Sequence, residues 1–190
     1  GSIRRIASAV ARFVHNAIVM KSLRIAFAAA AFCAATLAPA VHAVEAGQPA
    51  PPFTLPSATG GVVALEQLRG KVVYVDFWAS WCAPCKRSFP WMAEMQRKYG
   101  ERGFVVVAVN VDKQRADAER FLKATPAAFT VVFDDSGRTP QAWQVKGMPS
   151  SYLIDPAGKV LLAESGFHDE RKDAVEARIR ALRPNLRFEV

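Results

Sequence analysis

Val72-Val73-Tyr74-Val75-Asp76-Phe77-Trp78-Ala79-Ser80-Trp81-Cys82-Ala83-Pro84-Cys85-Lys86 joins a nearly unbroken apolar run to two cysteines separated by two residues. An apolar run this continuous, from Lys71 to Trp78, fits a strand covered on both faces. Beyond it, the spacing predicts a helix over Ala83–Tyr99. At 100° per residue Phe89, Met92, Ala93, Met95, Gln96 and Tyr99 fall on one side, with Arg87, Glu94 and Lys98 opposite. Cys85 projects from the middle of the apolar side and is expected to be buried. Cys82 stands where the helix begins and is expected to face solvent. Pro84 is tolerated in the first turn, whereas Pro90 removes a backbone donor one turn in and is expected to kink the helix.

Working outward, Gly103 precedes a second β-prone run, Phe104 to Val109. Ala116 to Ala124 reads as a helix, Thr130 to Phe133 as a short strand, and Asp134-Asp135-Ser136-Gly137 as a turn. Ser150 to Ile154 and Lys159 to Ala163 make a hairpin across Asp155-Pro156-Ala157-Gly158, and Glu170 to Leu182 a last amphipathic helix. On the N-terminal side, Phe53 to Leu55 and Val62 to Leu65 flank a glycine turn, after a proline-rich lead-in from Val44 to Pro52 without periodicity. Strands alternating with helices and closed by an antiparallel hairpin define an α/β domain with a mixed central sheet. The expected domain is 44–190.

Residues 1–43 read differently. Ile25 to Ala43 holds no acidic or basic side chain apart from the His42 imidazole. It follows the basic segment Met20-Lys21-Ser22-Leu23-Arg24 and ends in the small-residue stretch Val41-His42-Ala43. This is the layout of a secretory signal cleaved after Ala43. The run also approaches the roughly 20 residues that span a bilayer, so an uncleaved membrane anchor is the competing reading. Arg4-Arg5 lies too far from the apolar run for a twin-arginine signal. Cys33 sits inside the run and is lost if the signal is removed.

Five of the 25 basic residues, and none of the 17 acids, precede residue 44, so the remainder carries a net charge of only +3. No basic cluster with interleaved aromatics occurs, which disfavours nucleic acid as a partner. No glycine-rich nucleotide motif opens any helix, so no cofactor is expected.

A cysteine attacks as its thiolate, and an ordinary thiol with a pKa near 8.5 is about 3% ionised at pH 7. A helix N-terminus supplies unpaired backbone donors and partial positive charge that favour the thiolate. Cys82 is placed to use both and is therefore read as the attacking thiol, with Cys85 resolving the mixed disulfide. Zinc needs about four ligands, and His168 is the one histidine after residue 43, so no metal site is expected. A passive structural disulfide and a peroxidatic cysteine remain as rivals.

The stretch from Asp76 to Lys86 resembles the active-site segment of thioredoxins. Pro90, eight residues after Cys82, matches their helix proline, and Gly147-Met148-Pro149 before Ser150–Ile154 is similar to their cis-proline loop. The N-terminal hairpin and the extra helix and strand near 113–133 resemble the exported TlpA/ResA-like branch. The likeness covers about residues 47–182. It implies a thioredoxin-like fold with an N-terminal β-hairpin and a central helix–strand insertion. It also implies that Pro149 is cis and, with Met148, offers a ledge for a substrate's extended backbone. Trp81 is expected to wall the pair and add contact surface, and Asp76 to exchange a proton with Cys85. Thioredoxins often set a lysine beside this aspartate; the matching position here is Ala108. The bland reading of Asp76 is a partly solvated acid at the sheet's end, and that of Lys86 a solvated helix residue.

The function these readings support is an extracytoplasmic, periplasmic thiol–disulfide oxidoreductase. Ala83-Pro84 between the cysteines resembles the reducing members. Its expected partners are cysteine-containing extracytoplasmic proteins, such as apocytochrome c or copper-site proteins, with a membrane thiol carrier as electron donor. The alternatives are a non-enzymatic binding module and a Cu(I) metallochaperone, copper being a soft ion suited to sulfur.

Overall fold

The apolar run folds as the central strand of a five-stranded sheet in the computed structural model, which describes residues 44–182. The signal or anchor reading of 1–43, and Cys33 with it, lies outside the described residues. Two short strands, β1 (Thr54–Pro56) and β2 (Val62–Ala64), form the N-terminal antiparallel hairpin. Then follow β3 (Val72–Trp78), α1 (Ala83–Tyr99), β4 (Phe104–Asn110), α2 (Arg115–Ala124), β5 (Thr130–Phe133), α3 (Arg138–Ala142), β6 (Ser150–Ile154), β7 (Val160–Ser165) and α4 (Lys172–Ala181). The sheet order is β5-β4-β3-β6-β7, with β3, β4 and β5 parallel and β6 and β7 antiparallel. Among the described residues no helix is long and apolar enough to cross a membrane.

All seven residues of β3 are buried, because each face of the sheet has its own core. Side chains alternate along a strand. Val72, Tyr74 and Trp78 therefore join Cys85, Phe89, Met92 and Met95 of α1 and Val175 and Ile179 of α4 on one face. Val73, Val75 and Phe77 meet Phe53, Leu55, Leu65 and Trp143 on the other. The alternation fixes what lies beneath the cysteines: the face carrying Tyr74 and Trp78 also carries Asp76.

α1 keeps its expected bounds and continues through Pro90, while Gly103, at φ 80°, turns the chain into β4. Such a φ is open to glycine at little steric cost. Three features depart from the sequence reading. The lead-in is not free: Gly47 and Ala50 donate to Val160 and Gly158 carbonyls at 2.7 and 3.0 Å, covering the outer edge of β7. A short 3₁₀ turn, Leu65–Leu68, begins at the residue expected to end the second hairpin strand. Helix α3 replaces irregular chain after the Asp134 turn, the Asp134 carboxylate accepting from the Gly137 and Thr139 amides at 3.0 and 2.7 Å.

Candidate active site

Cys82 is the N-cap of α1. Its Sγ accepts a hydrogen bond from the Cys85 backbone N–H at 3.2 Å, and Pro84 occupies the first turn. The two sulfurs form a disulfide, with Cα atoms 5.3 Å apart. Cys85 is fully buried, as its helical phase requires.

Cys82 is buried as well, at 4% exposure, and does not stand in solvent. The loop before the helix folds back, the Cys82 N–H donating to the Ala79 carbonyl at 3.1 Å, and the sulfur turns inward to cap the helix. Trp81, the residue before Cys82, is a large apolar side chain that is 72% exposed. Lys86 is an exposed residue of the first helical turn.

A latch that the sequence reading missed holds this loop. Asp112, just past the end of β4, accepts from the Ser80 N–H at 2.9 Å, the Ser80 hydroxyl at 3.0 Å and the Asn110 amide at 2.8 Å. The residue is 5% exposed. The signal is weak, since Ser80 and Asp112 meet only once Trp78 is in register with Asn110. Asp112→Ala leaves those donors without their acceptor, and hydrogen bonds to charged groups contribute about 1.5–3 kcal/mol each. Urea unfolding at pH 7 is expected to show a loss of about 2 kcal/mol or more.

The second loop of the site comes from β6. Ser150 pairs with Phe77 across the antiparallel β3–β6 register, so the loop before β6 lies at the same end of the sheet as the cysteine loop. The Met148–Pro149 bond is cis. Pro149 is buried, and its carbonyl accepts from the Gly166 N–H at 2.8 Å. Met148 is half-buried and packs against the apolar cluster that contains Cys82 and Cys85.

Asp76 is fully buried, which overturns the reading of a partly solvated acid at the sheet's end. It lies opposite Ala108 on β4, so no lysine meets it there. On the other side it faces Ser151, whose hydroxyl donates to Oδ1 at 2.6 Å, while Oδ2 has no partner. Burial drives its pKa up from 3.8 to about 7, against the opposing pull of the Ser151 hydrogen bond. Ser151, 75 residues away in sequence, is a second partner that sequence reasoning missed. Among the described residues no group of three or more His, Cys, Asp or Glu side chains gathers as a metal site.

A cysteine pair closed as a disulfide at a helix N-terminus, on a thioredoxin-like sheet beside a cis-proline loop, is an arrangement suited to disulfide exchange, and the protein is a thiol–disulfide oxidoreductase. The chain belongs to the AhpC/TSA family, whose profile matches residues 46–163. Among its relatives is the thiol–disulfide oxidoreductase ResA of Bacillus subtilis, 35% identical over 134 residues, which cover 67% of this chain and 75% of that protein. ResA of Geobacillus kaustophilus is 32% identical over 142 residues, 75% of this chain and 80% of that protein. A crystal structure from Chlorobium tepidum, assigned as a thiol:disulfide interchange protein DsbE, is 54% identical. It superposes with a TM-score of 0.71 over 74% of this chain and 99% of that one.

Proposed function

We propose that this oxidoreductase works outside the cytoplasm, reducing disulfides of other exported proteins through unequal roles for its two cysteines. The observation that carries the roles is the placement of Cys82 as the N-cap acceptor of α1 and of Cys85 one turn on, fully buried. In the reduced protein the Cys82 thiolate, held by the Cys85 N–H and the helix terminus, attacks a substrate disulfide. A Cys82–substrate disulfide forms, and the substrate's other sulfur leaves with the electron pair and takes up a proton. Cys85 then gives its proton to the Asp76 carboxylate beneath the helix and attacks Cys82 Sγ. The Cys82–Cys85 bond forms, the mixed disulfide breaks, and the substrate leaves as a dithiol. Exposed Trp81, with Met148 and Pro149 at the same end of the sheet, supplies the surface against which an extended substrate strand lies.

The uncharged run 25–43 supports export, with or without retention as an anchor. A membrane thiol carrier then returns two electrons per cycle, and apocytochrome c or copper-site cysteines are the substrates that fit the reducing direction. The Cys85→Ser variant tests this reading, because loss of the resolving thiol leaves substrates bound to Cys82. Extracytoplasmic proteins released from it by dithiothreitol are the expected result; no trapped species in that fraction sinks the proposal. The reduction potential of the pair is expected between about −270 and −120 mV, whereas a purely structural disulfide lies below about −300 mV.

A further inference from the structure

A closed disulfide holds Cys82 in place; once it opens, that tether is gone and the attacking sulfur must be held in another way. The sulfur accepts a hydrogen bond from the Cys85 N–H at 3.2 Å. A freed cysteine side chain has three staggered rotamers, and the bond survives only where χ1 points the sulfur at the helix start. The backbone that carries the side chain therefore matters. The Cys82 N–H donates to the Ala79 carbonyl at 3.1 Å, so Ala79-Ser80-Trp81-Cys82 is a tight turn with Ser80 at its first corner. Trp81, at the second corner, is exposed. The first corner is fastened twice to one carboxylate, the Ser80 N–H to Asp112 Oδ2 at 2.9 Å and the Ser80 hydroxyl to Oδ1 at 3.0 Å. Asp112 is itself mounted on the end of β4. Asn110 Nδ2 donates to Oδ2 at 2.8 Å, and the Asp112 N–H donates back to Asn110 Oδ1 at 3.1 Å. The Val111 N–H donates to the Trp78 carbonyl at 3.0 Å, which joins this mount to the end of β3. None of these bonds involves either cysteine.

We propose that Asp112 and Ser80 are positioning residues for the attacking thiol. They fix the turn so that, in the reduced protein, Cys82 Sγ stays over the Cys85 N–H and the start of α1. Both act through the Ala79–Cys82 turn and take no part in the bond exchange. Without the latch the turn swings, the sulfur spends less time at the helix terminus, and the thiolate loses the stabilisation it draws from there. The charge of Asp112 works the other way, because a negative group near Cys82 disfavours the thiolate. Positioning and charge therefore move the Cys82 pKa in opposite directions when Asp112 is removed. Lys86, Arg87, Lys113 and buried Asp76 are the same in every protein compared below.

This inference rests on Cys82 being the attacking thiolate, and its test separates the two claims. The full chain carries Cys33→Ser and Cys85→Ser, which leaves Cys82 as its one thiol. Alkylation by iodoacetamide is followed against pH, and the midpoint of the rate profile reads the pKa of Cys82. With the latch intact the midpoint is expected well below the ordinary value of about 8.5. Asp112→Ala is expected to raise it by about one pH unit, and Ser80→Ala by about half as much, because the Ser80 N–H keeps its bond. Ser80→Thr, which keeps the hydroxyl, is expected to leave it where it was. The double variant is expected to go no further than Asp112→Ala, since the hydroxyl acts through that carboxylate. Midpoints that stay fixed in both alanine variants, while urea unfolding shows lost stability, make the latch structural only and overturn the inference. A midpoint that falls in Asp112→Ala overturns it as well, because charge and not the turn then decides. If Asp112→Ala does not fold, the comparison of Ser80→Ala with Ser80→Thr decides alone. A midpoint at or above about 8.5 with the latch intact overturns the attacking-thiolate reading itself, and the latch with it.

Discussion

Cys82→Ser is expected to lower dithiothreitol-driven insulin reduction to the rate of dithiothreitol alone, while the variant folds and unfolds cooperatively. Two effects combine. Serine replaces an atom that is ionised to a few per cent even as an ordinary thiol by one that is not ionised near neutral pH. It also leaves no sulfur at the one position where the Cys85 N–H and the start of α1 meet. The fold is spared because a serine hydroxyl is itself a good N-cap and can accept the same Cys85 N–H. The contrast with Cys85→Ser sharpens the test. That variant keeps the attacking thiol, so apart from any release by Cys33 it should release one equivalent of thionitrobenzoate from the aromatic disulfide and stop, whereas Cys82→Ser should release none in the fast phase. Equal activity in the two single variants would mean that the cysteines are interchangeable, contrary to one capping the helix and the other lying in the core.

The parts of this fold that repeat locally are the parts the sequence discloses. β3 and β4 are apolar runs, α1 shows its face every three to four residues, and the Cys82–Cys85 spacing is local by nature. Helix α3 could not be read, because five residues including Pro140 carry no period, and its start is set by the Asp134 carboxylate. The lead-in shows no pattern since it pairs with β7 through backbone groups, which any side chain permits. The same division runs through the site. The burial of Cys85 follows from helical phase, but that of Cys82 depends on how the loop from Ala79 turns. Ala108 opposite Asp76 could be anticipated from the strand alignment of the resemblance. Ser151 could not, because its meeting with Asp76 depends on the β3–β6 register. One signal was available: Ser150-Ser151 puts two hydroxyls at the start of a strand that is otherwise Tyr-Leu-Ile.

Asp76→Asn is expected to remove the contribution of Asp76 to the pH dependence of stability in the oxidised protein. The wild-type carboxyl titrates near 3.8 when unfolded and about 7 when folded. Between those values the folded state holds a proton that the unfolded state has released, so the stability contributed by this group is full below about pH 4 and is lost as pH rises through about 7. A shift of this size corresponds to about 4 kcal/mol. The asparagine amide of the variant stays neutral throughout and can still accept the Ser151 hydrogen bond. The stability difference between variant and wild type should therefore move by about 4 kcal/mol in the variant's favour between pH 4 and pH 8. Asp169 and Glu176, whose pKa values are lowered by hydrogen bonds to Lys172 and Tyr99, add stability as pH rises. They are common to both proteins, so they cancel in the difference. Urea titrations at a series of pH values measure it, and its slope is insensitive to any constant packing cost of the amide. Parallel curves would mean that Asp76 is charged at neutral pH in the folded protein and has no proton affinity to lend Cys85. A slope of the expected sign identifies an acid that weakens the fold at working pH, a cost that a group kept for packing alone has no reason to impose.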